Sequence, residues 1–245
     1  MDNNYTIRQC SCYFLDIRNS TNIIRTISLK SDRVKGSRQQ NTADTKKLLT
    51  HSEFMLDIHK FLFEKLATLK IDDYYFNNTG DGHLCLVWNE THAWTIMDIA
   101  CSISAYLEKR IKEYYTGYLK LWAKEYHKKL AIGFGIGMHT GESVIVEEKA
   151  TNIKFGYGIV LNTAARTESS TKNFANANLL FTDYFKKRLE EQLPLLQSPQ
   201  KGNWPGYEKI IKAVTKSPVD TKDSKSTGHL LYTVEKKNLH YFITG

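Results

Sequence analysis

The segment Cys10-Ser-Cys-Tyr-Phe-Leu-Asp16 is a mostly apolar run that ends on a carboxylate. Its composition predicts a buried strand over residues 10 to 17. A second carboxylate, Asp81, lies in the turn Asn77-Asn-Thr-Gly-Asp-Gly82. Many proteins that bind two divalent metals for phosphoryl chemistry hold carboxylates at neighbouring strand ends. The two aspartates therefore indicate a metal-dependent enzyme that acts on nucleotides.

The remainder of the sequence alternates between strand and helix patterns. Predicted strands are Ile71 to Phe76 and His83 to Trp88 as a hairpin, Ala131 to Met138, Ser143 to Val146 after a turn at Gly141, Leu179 to Thr182, Tyr207 to Val214 and Gly228 to Val234. Predicted helices are Thr21 to Leu29 with Asn19 or Ser20 as its cap, Lys46 to Leu69, Thr91 toward Leu130 with a break near Gly117, Gly158 to Arg166 and Asp183 to Gln192. The polar segment Gly36 to Thr45 predicts a loop. This order predicts an α+β fold with an antiparallel-rich central sheet flanked by helices.

The predicted strand Ala131-Ile-Gly-Phe-Gly-Ile-Gly-Met138 alternates small and large residues. Because successive side chains of a strand point to opposite faces, one face carries the bulk and the other exposes bare backbone. The bare face can receive a close-packed helix or the backbone of a partner. The pattern is not a dinucleotide-binding fingerprint, since Thr140 stands where the third glycine would be.

Length and composition predict a single domain over residues 1 to 245. A chain of 245 residues with 41% hydrophobic residues can bury one sizeable core. Its apolar runs are far shorter than the roughly 20 residues of a membrane-spanning helix, and its first residues lack the pattern of a secretory signal. We therefore expect a cytoplasmic protein that has no membrane partner.

Positive charge is concentrated in a basic insertion at about residues 24 to 47, within a chain of net charge +8. The basic residues there include Arg25, Lys30, Arg33, Lys35, Arg38 and Lys46, against Asp32 and Asp44. Such a run could attract a polyanion such as a triphosphate, RNA or DNA. Few aromatic residues interleave the charges to stack on bases, so a solvated segment is favoured over a nucleic-acid site.

Four motifs resemble, in order and with compatible spacing, those of the class III nucleotidyl cyclases. They are Tyr13-Phe-Leu-Asp-Ile-Arg-Asn-Ser-Thr21, Thr79-Gly-Asp-Gly82, Gly135-Ile-Gly-Met-His-Thr-Gly141 and Leu161-Asn-Thr-Ala-Ala-Arg166. Each motif alone is weak, but the four together are specific, and the match covers about residues 8 to 235. The resemblance implies a ferredoxin-like catalytic domain that forms a homodimer, with its active sites at the subunit interface.

The resemblance also implies a metal site. Asp16, Asp81 and the backbone carbonyl of Ile17 match the ligands of two divalent ions, Mn²⁺ or Mg²⁺. Carboxylates are hard oxygen ligands that suit these ions. We expect the residues that follow the first ligands to bind the substrate: Asn19, Ser20 and Thr21.

Three further positions match residues that act on the nucleotide. Asn162 matches the residue that orients the ribose, and Arg166 the residue that stabilises the phosphate in the transition state. A guanidinium suits that role because its planar paired donors fit phosphate oxygens. Lys212 most nearly fits the triphosphate-binding lysine, although Lys209 and Lys216 lie close by.

Two positions depart from the family pattern. Adenylyl cyclases carry a lysine and an aspartate or threonine where this chain has Asn77 and Phe155, and guanylyl cyclases typically carry glutamate and cysteine. Phe155 cannot hydrogen-bond an exocyclic amine, and its ring would occupy space needed by a purine. The pair therefore resembles the base pocket of the bacterial pyrimidine cyclases of Pycsar antiphage defence, which make cyclic UMP or cyclic CMP. An amide can flip to suit uracil or cytosine, so UTP and CTP both remain open.

Each motif also has a purely structural interpretation. The Gly-Asp-Gly turn could be a plain hairpin tip, and Asp16 could cap the following helix. Asn162 and Arg166 could belong to an ordinary surface helix. The alternatives to a pyrimidine cyclase are an adenylyl cyclase with an atypical base pocket and a cyclase-like domain that binds nucleotide without turnover.

Overall fold

The computed structural model describes residues 3–33, 38–148, 153–174, 177–196, 214 and 228–234. Its strands are β1 (Asn3–Arg18), β2 (Tyr74–Asn78), β3 (Gly82–Val87), β4 (Gly133–Glu148), β5 (Ile153–Tyr157), β6 (Leu179–Thr182) and β7 (Leu231–Tyr232). Its α-helices are α1 (Ser20–Arg33), α2 (Arg38–Thr68), α3 (His92–Tyr114), α4 (Lys120–Glu125), α5 (Ile159–Ser170) and α6 (Asp183–Leu196). A π-helical segment, Tyr115–Leu119, joins α3 to α4, and a 3₁₀ turn, Thr171–Asn173, follows α5.

The seven strands form one sheet in the order β2-β3-β1-β4-β6-β7, and β5 pairs with β4. The pairing of β4 with β6 is parallel, and the other named strand pairs are antiparallel. The large core lies on the face covered by α2, α3 and α6. A smaller core lies on the opposite face beneath α5. The predicted α+β architecture is confirmed.

The bare face of the glycine strand receives a helix of the same chain. A Cβ atom added to Gly137 would collide with the backbone of α5 at Ala164 and Glu168. The bulky residues Phe134, Ile136 and Met138 point into the large core on the other face. Of the two alternatives for the bare face, the close-packed helix is the one observed.

The predicted turn at Gly141 is wrong, because β4 continues through it to Glu148. Gly141 pairs with Cys10 of β1, and a Cβ at Gly141 would come within 2.9 Å of Val160 Cγ2. This glycine therefore permits the close approach of α5 rather than a change of chain direction. The strand β5 was not predicted from the sequence.

The predicted loop from Gly36 to Thr45 is also wrong, since α2 begins at Arg38. Of the basic insertion, residues 24–33 belong to α1 and residues 38–47 to α2. Lys47 is a structural residue: its Nζ lies 3.3 Å from Asp44 Oδ1 and 2.9 Å from the Tyr126 hydroxyl. Asp44 is itself buried, so this polar contact fixes the first turns of α2 to the chain segment after α4.

The second long helix is interrupted where the sequence predicted, at the π-helical segment that contains Gly117, but it ends at Glu125 rather than near Leu130. The predicted strand from Tyr207 lies outside the described residues except for Val214, which bridges to Val234. Within the described ranges, no helix combines the length and the apolar character needed to cross a bilayer.

Candidate active site

The two aspartates lie together where β1 meets the hairpin of β2 and β3. Asp16 is the register partner of Gly82 on β3, and the backbone N–H of Ile17 donates to the carbonyl of Asp81 at 2.9 Å. A Cβ at Gly82 would collide with the carbonyl of Leu15. The glycine after Asp81 therefore allows the hairpin to approach the strand end that carries Asp16.

The two carboxylates repel each other. Burial raises the pKa of Asp16 above its ordinary value, and the negative charge of Asp81 raises it further. Lys172 acts in the opposite direction, with its Nζ 3.9 Å from Asp16 Oδ2. Lys172 was not predicted from the sequence. A cation between the carboxylates would relieve this repulsion.

The oxygen ligands available at this site suit hard divalent cations such as Mg²⁺ and Mn²⁺. Asp16 and Asp81 supply carboxylate oxygens, and the carbonyl of Ile17 is the third expected ligand. Within the part of the chain that the structure describes, no three His, Cys, Asp or Glu side chains are grouped to hold a metal. The remaining oxygens would come from the backbone, water or a bound triphosphate, as is usual for magnesium.

The start of α1 lies against this site. Asn19 adopts a left-handed backbone conformation with φ of 64°, and the hydroxyl of Thr21 donates to Asp81 Oδ2 at 3.1 Å. Ser20 is buried, with its hydroxyl 2.8 Å from His51 Nε2. Of the three expected substrate-binding side chains, Thr21 is the one with a hydrogen bond to an expected metal ligand. The Ser20 hydroxyl thus links α1 to His51 of α2 by a hydrogen bond.

Asn162 and Arg166 are exposed on α5, one helical turn apart. The buried side of this helix carries Val160, Thr163, Ala164 and Thr167 and packs on the sheet. Among the described residues, no hydrogen bond or ion pair joins Asn162 or Arg166 to either aspartate. A single chain thus brings the two aspartates together and leaves the α5 pair facing outward.

The expected base-reading residues both adjoin Tyr75. Phe155 lies in β5, and its ring centroid is 6.3 Å from that of Tyr75 in β2. Asn77 is exposed and lies two residues further along β2, hence on the same face as Tyr75. Tyr75 itself packs against the smaller core beneath α5. The lysines that are candidates for binding the triphosphate lie outside the described residues; they are Lys209, Lys212 and Lys216.

A buried polar group that the sequence did not reveal lies beside Asp16. Glu168 of α5 is 2% exposed, and burial together with the charge of Asp16 raises its pKa to about 7. Arg18 Nη2 donates to the hydroxyl of Thr171. The only signal of this group in the sequence is that Glu168 is an acidic residue two positions after Arg166. That signal by itself does not distinguish a buried from an exposed side chain.

Several solved structures with a similar fold are nucleotide cyclases. The adenylyl cyclase CyaB from P. aeruginosa superposes with a TM-score of 0.55 over 94% of this chain and 95% of its own, at 10% identity. A bacterial light-regulated adenylyl cyclase gives 0.57 over 98% of this chain and 58% of its own, at 13% identity. The catalytic core of a rhodopsin-guanylyl cyclase with converted specificity, in complex with ATPαS, gives 0.52 over 96% and 100%, at 16% identity.

Comparison by sequence finds no match, in contrast to comparison by structure. No protein-family model and no curated protein sequence matches the chain. Identities of 10 to 16% with these solved structures support the fold alone. The chain has the class III nucleotidyl cyclase fold.

Proposed function

We propose that this protein is a nucleotidyl cyclase, which converts a nucleoside triphosphate to the 3′,5′-cyclic monophosphate and pyrophosphate. The observation that carries the proposal is the placement of Asp16 and Asp81 side by side at strand ends of a cyclase fold. The substrate is a pyrimidine nucleotide, UTP or CTP. The product is cyclic UMP or cyclic CMP, a second messenger of antiphage defence by resemblance to the Pycsar pyrimidine cyclases.

Asp16, Asp81 and the Ile17 carbonyl would bind two Mn²⁺ or Mg²⁺ ions. When bound, such ions lower the pKa of the 3′-hydroxyl and neutralise the triphosphate. Thr21 fixes the carboxylate of Asp81 through its hydrogen bond. The N-terminus of α1 adds backbone N–H groups next to Asp81, which favours a bound phosphate.

The α5 residues would complete the site of a second copy of the chain. Arg166 would stabilise the charge that develops on the α-phosphate, and Asn162 would orient the ribose. Both side chains face away from their own sheet, as a residue donated across a subunit interface must. The active assembly is accordingly a homodimer with two shared sites, and Lys212 or a neighbouring lysine would contact the triphosphate.

The base pocket favours a small base. Tyr75, on the strand that carries Asn77, lies next to the ring of Phe155 on β5, and these two rings reduce the space available to a purine. Asn77 offers one donor and one acceptor to the edge of the base. The adenylyl cyclases among the similar structures support a second candidate, an adenylyl cyclase with an atypical pocket.

The test is a product assay with the purified protein, Mn²⁺ and each of ATP, GTP, UTP and CTP in turn. The proposal expects cyclic UMP or cyclic CMP as the main product and none from Asp81→Asn. Cyclic AMP as the main product would replace the pyrimidine assignment with the second candidate. Turnover of no nucleotide would leave the third interpretation, a domain that binds nucleotide without catalysis.

A double substitution tests the pocket itself. Asn77→Lys with Phe155→Thr restores the residue types of an adenylyl cyclase. We expect this variant to gain cyclic AMP synthesis relative to the wild type, measured by chromatography of the products. Tyr157→Phe is the matched control, because Tyr157 lies on the same strand as Phe155 and is exposed. An unchanged order of substrates in the double variant would show that these two residues do not read the base.

A further inference from the structure

Four residues form a compact polar cluster behind Asp16, which we call the Gly135 cluster: Arg18, Gly135, Glu168 and Thr171. A Cβ on Gly135 would meet the Glu168 carboxylate, the Thr171 hydroxyl and Arg18 Nη2. These three polar groups therefore fill the space that a side chain at position 135 would occupy. Gly135 is also the register partner of Asp16 on the neighbouring strand, so the cluster is adjacent to the candidate metal site.

The cluster contains two buried atoms that lack a hydrogen-bond partner among the described residues. They are Glu168 Oε1 and Arg18 Nε. A buried polar atom without a partner destabilises the fold, so a chain that needed only to anchor α5 would be better served by apolar residues. The arrangement calls for a reason beyond packing.

Arg18 is the member whose position matters most for a cation site. It lies two residues after Asp16 on β1, so both side chains point to the same face of the sheet. The charges of Glu168 and Asp16 both act on its guanidinium. An arginine free to pair with Asp16 would neutralise that carboxylate and compete with a divalent ion.

We propose that Glu168 is a positioning residue: its carboxylate lies beside the Arg18 guanidinium over Gly135 and attracts it, while the guanidinium donates to the Thr171 hydroxyl, so that the Asp16 carboxylate stays available for a divalent cation. Thr171 accepts from Arg18 and donates to the backbone carbonyl of Glu168. Both residues come from the end of α5 and the turn after it. The helix that presents Arg166 outward thus also serves the metal ligands of its own chain. This inference rests on the proposed function for the identity of the site.

The test is Mn²⁺ binding to the full chain without nucleotide, measured by titration calorimetry. Residues that orient metal ligands typically contribute 10- to 100-fold to affinity. We expect Glu168→Gln, which keeps the shape of the side chain, to weaken Mn²⁺ binding by about tenfold. The double variant Arg18→Met with Glu168→Gln should return to within about twofold of the wild type, because the competing guanidinium is gone.

The matched control is Thr167→Val, which removes a buried hydroxyl from the adjacent position of α5. That hydroxyl donates to the backbone of Thr163 within the helix, so Mn²⁺ binding should not change. Glu168→Gln binding as tightly as the wild type would overturn the inference, and so would a double variant as weak as the single one. Wild-type protein that binds Mn²⁺ but cyclises no nucleotide would contradict the proposed function and leave the inference to be decided by the variants.

Discussion

The strand-end half of the candidate site and the α5 half differ in how complete they are within one chain. At the strand ends, Asp81 is joined to β1 and α1 by hydrogen bonds from Ile17 and Thr21, and its charge acts directly on Asp16. On α5, Asn162 and Arg166 point away from their own sheet. The contrast teaches that one chain brings the two aspartates together by itself, whereas Asn162 and Arg166 make no contact with them in that chain and would meet them only in the proposed dimer.

The largest expected effect is a loss of turnover, and Mn²⁺ binding then distinguishes the strand-end half from the α5 half. Asp81→Asn and Arg166→Ala should each lower turnover by about 100-fold or more, since the first removes a proposed metal ligand and the second removes a group proposed to act on the reacting phosphate. Only Asp81→Asn should also weaken Mn²⁺ binding, measured by calorimetry. Lys187→Ala is a control at an exposed position of α6. Equal loss of Mn²⁺ binding in Asp81→Asn and Arg166→Ala would mean that the halves are not distinct.

The next prediction concerns the contact that fixes α5 to the sheet. Gly137→Ala places a Cβ against the α5 backbone and should lower the free energy of unfolding by about 1 to 3 kcal/mol. Gly133→Ala is the matched control on the same strand, because its Cβ would come no closer than 3.8 Å to Arg18. Urea denaturation of both variants measures the difference. Equal stability would show that α5 does not depend on the bare glycine face.

The smallest expected effect is on stability at the strand ends. Removing the charge of Asp81 relieves its repulsion of Asp16, so Asp81→Asn should raise the free energy of unfolding at neutral pH by roughly 0.2 to 1 kcal/mol. Arg166→Ala, at an exposed position, should stay within about 0.5 kcal/mol of the wild type. Thermal or urea denaturation of the two variants provides the measurement.

The stabilisation expected of Asp81→Asn depends on pH, and the raised pKa of Asp16 sets the direction. The pKa of Asp16 is raised above the value of 3.8 that it has when unfolded, so the folded state binds more protons than the unfolded state between those two values. The repulsion therefore destabilises the fold as the pH rises through the raised pKa. The advantage of Asp81→Asn should shrink as the pH is lowered toward 4, and an advantage that grows on acidification would contradict the assignment.

The sequence predicted the parts of the molecule that depend on local pattern. The apolar run before Asp16, the hairpin around Asp81 and the bare face beside Gly137 follow from alternation and turn chemistry, and all three are observed. The turn predicted at Gly141 is wrong, because in one sequence a glycine that admits a neighbouring helix looks the same as a glycine that turns the chain. Only tertiary packing distinguishes the two.

The candidate site was predictable to a similar extent. Asp16 and Asp81 were expected at neighbouring strand ends, and the pairing of Asp16 with Gly82 and the hydrogen bond from Ile17 to Asp81 place them there. The Gly135 cluster could not be foreseen, since burial of Glu168 depends on the docking of α5 across a strand distant in sequence. The contact of Tyr75 with Phe155 likewise depends on β5, a strand of five residues whose partner is set by tertiary structure rather than by its own pattern.

Complementation between two inactive variants tests the central claim most directly. Asp16→Ala lacks the strand-end half and Arg166→Ala lacks the α5 half, so a mixed dimer would contain one intact site. After subunit exchange at equal concentrations, half of the dimers are mixed and each has one of two sites, which predicts about a quarter of wild-type cyclase activity. Activity that stays at the level of the separate variants, with exchange verified by mass spectrometry, would contradict a site shared between two chains.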